Sequence, residues 1–191
     1  MPEQNTYISS KNNPTAKQAV LIISADGFNE QELFYPYYRF NEAGFHVDIA
    51  SINEGNIKGA DGHSLPTTVA LENIVVDDYA LLYLPGGKAP AKLRESEEVL
   101  ELVKRFDAAA KPIAAICHGP QILVSAGLVK GRTLAAYPEV QKEIEAAGGT
   151  FKNVELVQDG IYITSRWPGD LPTHLSAALH YLHQLNKRTA A

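Results

Sequence analysis

The apolar residues of the chain fall into short, nearly continuous runs, with longer mixed stretches between them. Segments 19–25, 79–87 and 111–117 are almost wholly apolar, which is typical of strands buried on both faces of a sheet. Segment 45–52 alternates apolar and polar residues, and this period of two predicts another strand. The pattern therefore predicts a sheet whose central strands lie in the core.

Helical spacing of the apolar residues marks the stretches between these runs. It predicts helices at 29–44, 91–110, 121–131, 138–149 and 170–186. Pro36, within the first of them, predicts a kink or a start of the regular helix near that residue.

Two further segments carry turn signals. Asp159-Gly160 lies between apolar residues and predicts a β-hairpin over 154–166. Residues 53–78 are irregular in pattern, with a turn predicted at 59–63 and short strands around Thr67 to Ala70.

Strands that alternate with helices predict right-handed βαβ units, and hence an α/β fold with a mostly parallel sheet. We interpret residues 19–187 as one domain, with a flexible arm at 1–18 and a short tail at 188–191. In such sheets the active site lies beyond the carboxyl ends of the strands. Three strand ends are therefore of interest: 25–27, 85–87 and 117–119.

Composition and charge argue against several classes of function. The net charge is −5 and no basic block is longer than two residues, so we expect no nucleic-acid partner. We also expect no membrane partner, because no apolar run approaches the ~20 residues that span a bilayer. One cysteine cannot form an intramolecular disulfide, and the first residues lack the apolar core of a signal peptide. These features favour a cytoplasmic protein.

That cysteine, Cys117, follows a predicted strand in the sequence AICHG. The pattern small-x-nucleophile-x-Gly is a variant of the nucleophile elbow, in which a sharp strand-to-helix turn lifts the nucleophile out of the core. Backbone N–H groups at the first turn of the following helix favour an anion and would lower the pKa of the thiol. The alternative is that Cys117 is a buried and inert hydrophobic residue.

Neighbouring residues could complete such a site. Gly86, Gly87 and Gly119 could bring N–H groups to an oxyanion or substrate, although a Gly pair can also form an ordinary tight turn. His118 could act as a general base, pair with a carboxylate, or be structural. We expect its side chain to point away from the Cys117 Sγ, because the two residues are adjacent in the chain.

Other acidic and histidine residues give weaker signals. Asp26, Glu30 and Glu32 all lie just past the first strand. His180 and His183 could share a helix face, but no third ligand is evident. We therefore expect no metal and no cofactor.

The blocks AAICHGPQILVSAGLVKGR, YLPGGKAP, ADGFNEQELFYPYYRFNEAG and ITSRWPGDLP resemble the DJ-1/PfpI family, and most of all its PfpI-type branch of intracellular proteases. The similarity runs over about residues 19 to 183. It implies a flavodoxin-like three-layer sandwich, related to class I glutamine amidotransferases, with the cysteine on a nucleophile elbow. It also implies homodimers, sometimes assembled further into homohexamers.

By this resemblance, Glu32 is the carboxylate beside Cys117. Without the resemblance, we would interpret Glu32 as part of a solvated helix face. An ionised Glu32 would raise the pKa of the thiol, whereas a protonated one can donate a hydrogen bond to the thiolate. The sequence departs from the family at Ala91, where PfpI-type proteases are proposed to take a glutamate from a neighbouring subunit into a Cys-His-Glu triad. His118 then needs another acid, such as Glu95.

Three hypotheses follow, in order of preference. The first is a cofactor-independent enzyme for reactive dicarbonyls, of the glyoxalase III or protein deglycase type, with a Cys117 thiolate as nucleophile. The second is an intracellular cysteine peptidase or amidase that uses the same nucleophile. The third is a non-enzymatic redox sensor or chaperone in which Cys117 is oxidised.

Overall fold

The computed structural model describes the backbone of residues 17–189 and the side chains of residues 19–185. Residues 1–16 of the predicted arm and residues 190 and 191 of the predicted tail lie outside the described residues. The last helix continues through Thr189, so it includes the first two residues of that tail.

Ten strands and six α-helices make up the described chain. The strands are β1 Lys17–Ile23, β2 Phe45–Ala50, β3 Asn56–Lys58, β4 Ser64–Pro66, β5 Tyr79–Leu84, β6 Ile113–Ile116, β7 Thr133–Leu134, β8 Thr150–Phe151, β9 Val157–Asp159 and β10 Tyr162–Ser165. The helices are α1 Glu30–Glu42, α2 Ala89–Leu93, α3 Glu97–Ala108, α4 Pro120–Ser125, α5 Gln141–Ala146 and α6 Leu171–Thr189.

A six-stranded sheet forms the centre, in the order β2-β1-β5-β6-β10-β9. Its neighbours are parallel except β9 and β10, which form the hairpin predicted around Asp159-Gly160. Counted in chain order, the five parallel strands are arranged 2-1-3-4-5, which is the flavodoxin-like order. The predicted α/β sandwich is thereby confirmed.

The apolar runs that predicted strands lie at the centre of this sheet. Every residue of β5 and β6 is buried, because helices cover both faces of a parallel sheet. Helix α1 packs against α6, while α2 and α3 contact α4. No helix among the described residues is long and apolar enough to cross a membrane.

The structure differs from the predicted elements in several places, and of the helix predicted at 121–131 only the part up to Ser125 is helical, as α4. Helix α1 does not start near Pro36: it begins at Glu30, after Asn29, whose side chain accepts the N–H of Glu32. The single helix predicted at 91–110 is two helices, because Ser96 caps a new one at Glu97. In the irregular region the strands are β3 and β4, on either side of the predicted turn, instead of around Thr67 to Ala70.

Candidate active site

Three loops meet at one edge of the sheet, where β1, β5 and β6 end. These strands are neighbours, so the residues after them converge. An isolated antiparallel bridge between Phe28 and Gly87 joins the first two loops. Cys117 is the first residue after β6 and lies at this junction.

The backbone at Cys117 makes the sharp turn of a nucleophile elbow. Its φ is +61°, in the left-handed region that residues with a side chain rarely adopt. Hydrogen bonds hold both sides of the turn: the Cys117 N–H donates to Ser165 O at 3.1 Å, and the Cys117 C=O accepts the N–H of Tyr137 at 2.9 Å. Cys117 is 7% exposed, so only a small part of the residue can meet a substrate.

Glu32 is the carboxylate that reaches this cysteine. It lies in the first turn of α1, is 0% exposed, and its Oε2 accepts the N–H of Gly86 at 2.8 Å. The two other acids of this loop are used elsewhere: Asp26 accepts the N–H of Lys58, and Glu30 accepts the N–H of Asp61. Both therefore bind the backbone of the β3–β4 hairpin.

Gly86 allows Glu32 and Cys117 to approach each other. A Cβ at this position would lie 2.5 Å from Glu32 Oε2 and 2.6 Å from Cys117 Cβ, distances that real side chains do not tolerate. The absence of a side chain is thus required for the carboxyl and the thiol to share one pocket.

The two acidic groups are electrostatically coupled. Burial raises the pKa of Glu32 from 4.5 to about 7, against the opposing effect of the Gly86 N–H. Burial also raises the pKa of the Cys117 thiol, and the charge of Glu32 adds to this. The lowering of the thiol pKa expected from the helix N-terminus is outweighed by these two effects. The carboxyl is the more acidic of the two groups, so the pair gains its negative charge on Glu32 as the pH rises through about 7, while the thiol keeps its proton.

The backbone donors at the thiol differ from those expected. The N–H groups of Gly87 and His118 point at Cys117 and lower the pKa of its thiol. The Gly86 N–H is already donated to Glu32, and the Gly119 N–H to Ile116 O at 2.8 Å. Neither of those two is free to receive an oxyanion, so the available donors come from Gly87 and His118.

His118 lies closer to the thiol than expected. Its Nδ1 is 3.2 Å from Cys117 Sγ, so the side chain faces the sulfur instead of pointing away from it. The ring stacks on Tyr137 at 4.9 Å between centroids. Burial lowers the pKa of His118, which favours the neutral imidazole that can accept a proton.

The acids beside His118 belong to the same chain. Glu139 Oε2 is 3.9 Å from His118 Nε2, and both Glu139 and Glu143 counteract the lowering of the His118 pKa by burial. Ala91, on α2, has no acidic side chain. Among the described residues, the acid near His118 is Glu139 and not Glu95. Glu139 and Tyr137 were not foreseen from the sequence, where their only signal is their position just after a short apolar segment, 134–136.

The described residues contain no group of three or more His, Cys, Asp or Glu side chains that could hold a metal ion. His180, one member of the pair considered from the sequence, has its Nε2 2.7 Å from Gln184 Nε2. The chemistry available here is that of a thiol with a carboxyl and an imidazole close to it, and two N–H donors.

Comparison with known proteins identifies a family whose model matches most of the chain. The model of the DJ-1/PfpI family matches residues 18–180. A protein from Pyrococcus abyssi named as a deglycase is 43% identical over 152 residues, which are 80% of this chain and 92% of that protein. YraA of Bacillus subtilis, named as a candidate cysteine protease, is 31% identical and is matched over 85% of this chain and 97% of its own length.

A solved structure has the same fold. It is a two-domain protein of Anabaena variabilis with a DJ-1/ThiJ/PfpI-like and a ferritin-like domain, with a TM-score of 0.85 and 30% identity. The match covers 87% of this chain and 48% of that one, so the present chain spans about half of the two-domain protein.

Proposed function

The chain belongs to the DJ-1/PfpI family, and we propose that it is a cofactor-independent enzyme of the glyoxalase III and deglycase type, with Cys117 as its nucleophile. The observation that carries this proposal is the buried Glu32 carboxyl, which the Gly86 N–H holds beside the thiol. A relative named as a deglycase, 43% identical, supports the reaction class.

The first step forms a bond between sulfur and the aldehyde carbon of a dicarbonyl such as methylglyoxal. The Glu32 carboxylate takes the proton of the Cys117 thiol, so that sulfur attacks as the thiolate and Glu32 is left protonated. When the thiolate attacks, the charge moves to the aldehyde oxygen, which the N–H groups of Gly87 and His118 receive. Glu32 then gives its proton to that oxygen, which yields a neutral hemithioacetal.

The second step uses the carboxylate that the first step has produced. Glu32 removes the proton from the former aldehyde carbon and returns it to the neighbouring carbon, while the hydroxyl proton passes to the neighbouring oxygen, so the hemithioacetal becomes a thioester of lactate. The oxidation of one carbon balances the reduction of the other, and no redox partner is needed. Water then cleaves the thioester, which releases lactate and restores the thiol.

The test is the loss of methylglyoxal in the absence of glutathione. We expect the wild type to consume it and Cys117→Ala to be inactive. Glu32→Gln keeps the size of the side chain and cannot move a proton between the two carbons, so it should lose at least about a hundredfold in rate. Equal rates for wild type and Cys117→Ala would reject the proposal.

A second candidate activity is supported by His118. A cysteine peptidase or amidase needs a base aligned with the sulfur, and His118 Nδ1 lies 3.2 Å from Sγ with Glu139 behind it. The name of YraA points in the same direction. Fluorogenic peptides decide the matter: a peptidase cleaves them with a burst of acyl-enzyme that His118→Ala abolishes, whereas the dicarbonyl enzyme leaves them intact.

The setting of this activity also belongs to the proposal. Cys117 has to stay a free thiol, which the reducing cytoplasm ensures. We further propose that the chain assembles as a homodimer or homohexamer, since Tyr35 and Tyr38 are exposed on the outer face of α1. Light scattering of the purified protein measures the mass and distinguishes both from a monomer.

A further inference from the structure

Next to Glu32, on the side of the sheet that α1 and α6 cover, a group of polar atoms is buried without hydrogen-bond partners. In the described part of the chain these atoms are Ser24 Oγ, Glu32 Oε1, Tyr83 Oη and His174 Nε2. All four residues are 0% exposed. Buried polar groups in native proteins almost always have a partner, in protein or water, because leaving them unpaired is costly.

The sheet register brings Ser24 and Tyr83 to the same face. Tyr83 on β5 is paired with Ile22 on β1, so both side chains point to one side of the sheet. Ser24 lies two residues beyond Ile22, and its N–H continues the ladder with Ala50 O, so its side chain points to that side as well. Ala114, which is paired with Tyr83 on β6, contributes only a methyl group to this layer.

Helix α6 contributes His174 to the same place. Its Nδ1 lies 2.9 Å from Ser165 Oγ, which leaves Nε2 as the unpartnered nitrogen. The imidazole meets the ring of Tyr83 edge-on, at 5.7 Å between centroids. Burial lowers the pKa of His174 to about 3, so Nε2 remains part of a neutral ring over the range in which the enzyme works.

Tyr83 connects this group with the candidate active site. The charges of Glu32 and Cys117 both raise the pKa of Tyr83, so the three groups are electrostatic neighbours. The Tyr83 hydroxyl therefore stays protonated and can serve as a hydrogen-bond donor near the carboxyl.

We propose that Ser24, Tyr83 and His174 form an internal water-binding site that supplies a hydrogen bond to Glu32 Oε1. One water molecule meets two to four polar partners when buried. Here the water accepts a hydrogen bond from the Tyr83 hydroxyl and donates one to Glu32 Oε1. Its remaining hydrogen bond is to His174 Nε2 or Ser24 Oγ. The three residues are positioning residues: they act on the reacting atoms through Glu32, and in this respect the inference rests on the proposed function.

Tyr83→Phe removes the hydroxyl and leaves the ring in place. We measure the rate at which iodoacetamide alkylates Cys117 as a function of pH, because the acid limb of this profile follows the ionisation of Glu32, the base that takes the thiol proton. The titratable groups around this pair are Tyr83 on β5, His118 after β6 and His174 on α6. Loss of a donor to the carboxylate should move the acid limb to higher pH by about one unit.

Tyr162→Phe is the matched control. Tyr162 is another buried tyrosine of the same sheet, and its hydroxyl bonds Asp107 away from the site. We expect its profile to coincide with that of the wild type. Coincident profiles for folded Tyr83→Phe and wild type would overturn the inference.

A crystal structure gives a readout that is independent of catalysis. At a resolution that shows ordered water, we expect density within hydrogen-bonding distance of Tyr83 Oη and Glu32 Oε1, and its loss in Tyr83→Phe. Direct bonds among the four atoms, with no water, would overturn the inference even if methylglyoxal is consumed. Conversely, water at the site together with full activity of Cys117→Ala would reject the proposed function alone.

Discussion

The Glu32 carboxyl and the Cys117 thiol occupy one pocket on the same side of Gly86. Glu32 Oε2 accepts the Gly86 N–H, and a side chain on Gly86 would collide with both residues. The carboxyl is thereby held at a fixed place beside the sulfur, and its negative charge, gained as the pH rises through about 7, helps to keep the thiol protonated. The chemistry proposed above depends on this arrangement.

Gly86→Ala tests the arrangement directly. The added Cβ would lie 2.5 Å from Glu32 Oε2 and 2.9 Å from His118 N, so the carboxyl has to leave its position. We expect destabilisation by about 1–3 kcal/mol and loss of methylglyoxal consumption, measured by urea unfolding and by the rate. Gly169→Ala is the control, since its Cβ meets only the Trp167 ring at 3.3 Å. An active Gly86→Ala enzyme would contradict the geometry.

The strained turn at Cys117 makes a prediction about stability. At a φ of +61°, glycine is free of the strain that any Cβ brings, about 1 kcal/mol. Cys117→Gly should therefore be more stable to urea than Cys117→Ala by about this amount, although both lack the nucleophile. At Ala115, inside β6, the order is reversed, because Ala115→Gly costs about 0.5–1 kcal/mol. Equal stabilities at position 117 would mean that the elbow is unstrained.

The sequence was sufficient for most of the fold because the sheet is buried on both faces. A continuous apolar run such as 79–84 is fully buried only in a central parallel strand. The predicted positions of these strands were therefore correct to within a few residues. Strands β7 and β8 have two residues each, which is too short for any period to show. The break at Ser96 was missed because apolar spacing continues across it on both sides.

The site was only partly predictable for a related reason. Cys117 directly follows a buried strand, so its place at the sheet edge is fixed by local sequence. Glu139 lies 22 residues after Cys117 in the chain. It meets His118 only because the N–H of Tyr137, two residues before it, donates to Cys117 O. The choice among Asp26, Glu30 and Glu32 likewise depended on tertiary contacts, since all three follow the same strand.

Glu32→Gln should change how stability depends on pH. The pKa of Glu32 rises from 4.5 to about 7 on folding, so its contribution is complete below pH 4.5 and is lost as the pH rises through 7. The amide of the variant does not titrate and has no such loss. Between pH 4.5 and 8 the variant should gain about 3 kcal/mol of unfolding free energy relative to the wild type, as measured by urea titrations. A difference that stays constant with pH would show that Glu32 titrates normally.

Glu139→Gln tests the acid that replaces the missing one at Ala91. Glu139 raises the pKa of His118 against the effect of burial, so the variant should show a lower His118 pKa in an NMR titration of the imidazole. The rate should fall by no more than about fivefold, because Glu139 is 79% exposed and such pairs are weak. Glu145→Gln, on the exposed side of α5, should leave the titration unchanged. An unmoved His118 titration in Glu139→Gln would leave Glu143 as the acid that acts on it.

His174 should make the protein sensitive to acid. Burial lowers its pKa from 6.5 to about 3, so the folded state keeps the ring neutral while the unfolded state binds a proton. Its contribution to stability is complete above pH 6.5 and falls by about 5 kcal/mol as the pH drops to 3. Between pH 4.5 and 6.5 the contribution of His174 to stability rises with pH, whereas that of Glu32 falls. Replacing each residue separately therefore distinguishes the two effects.

His174→Gln keeps a polar side chain that can bond Ser165 and removes the titration. At pH 7 we expect it to be less stable than the wild type, because the amide fills the site less well, and to lose less stability on acidification. The two urea-unfolding curves should therefore converge toward pH 4. His180→Gln, at an exposed position of the same helix, should follow the wild-type curve throughout. If His174→Gln instead ran parallel to the wild type, the ring would have to gain its proton within the folded protein, and the assignment of a buried neutral imidazole beside Tyr83 would be wrong.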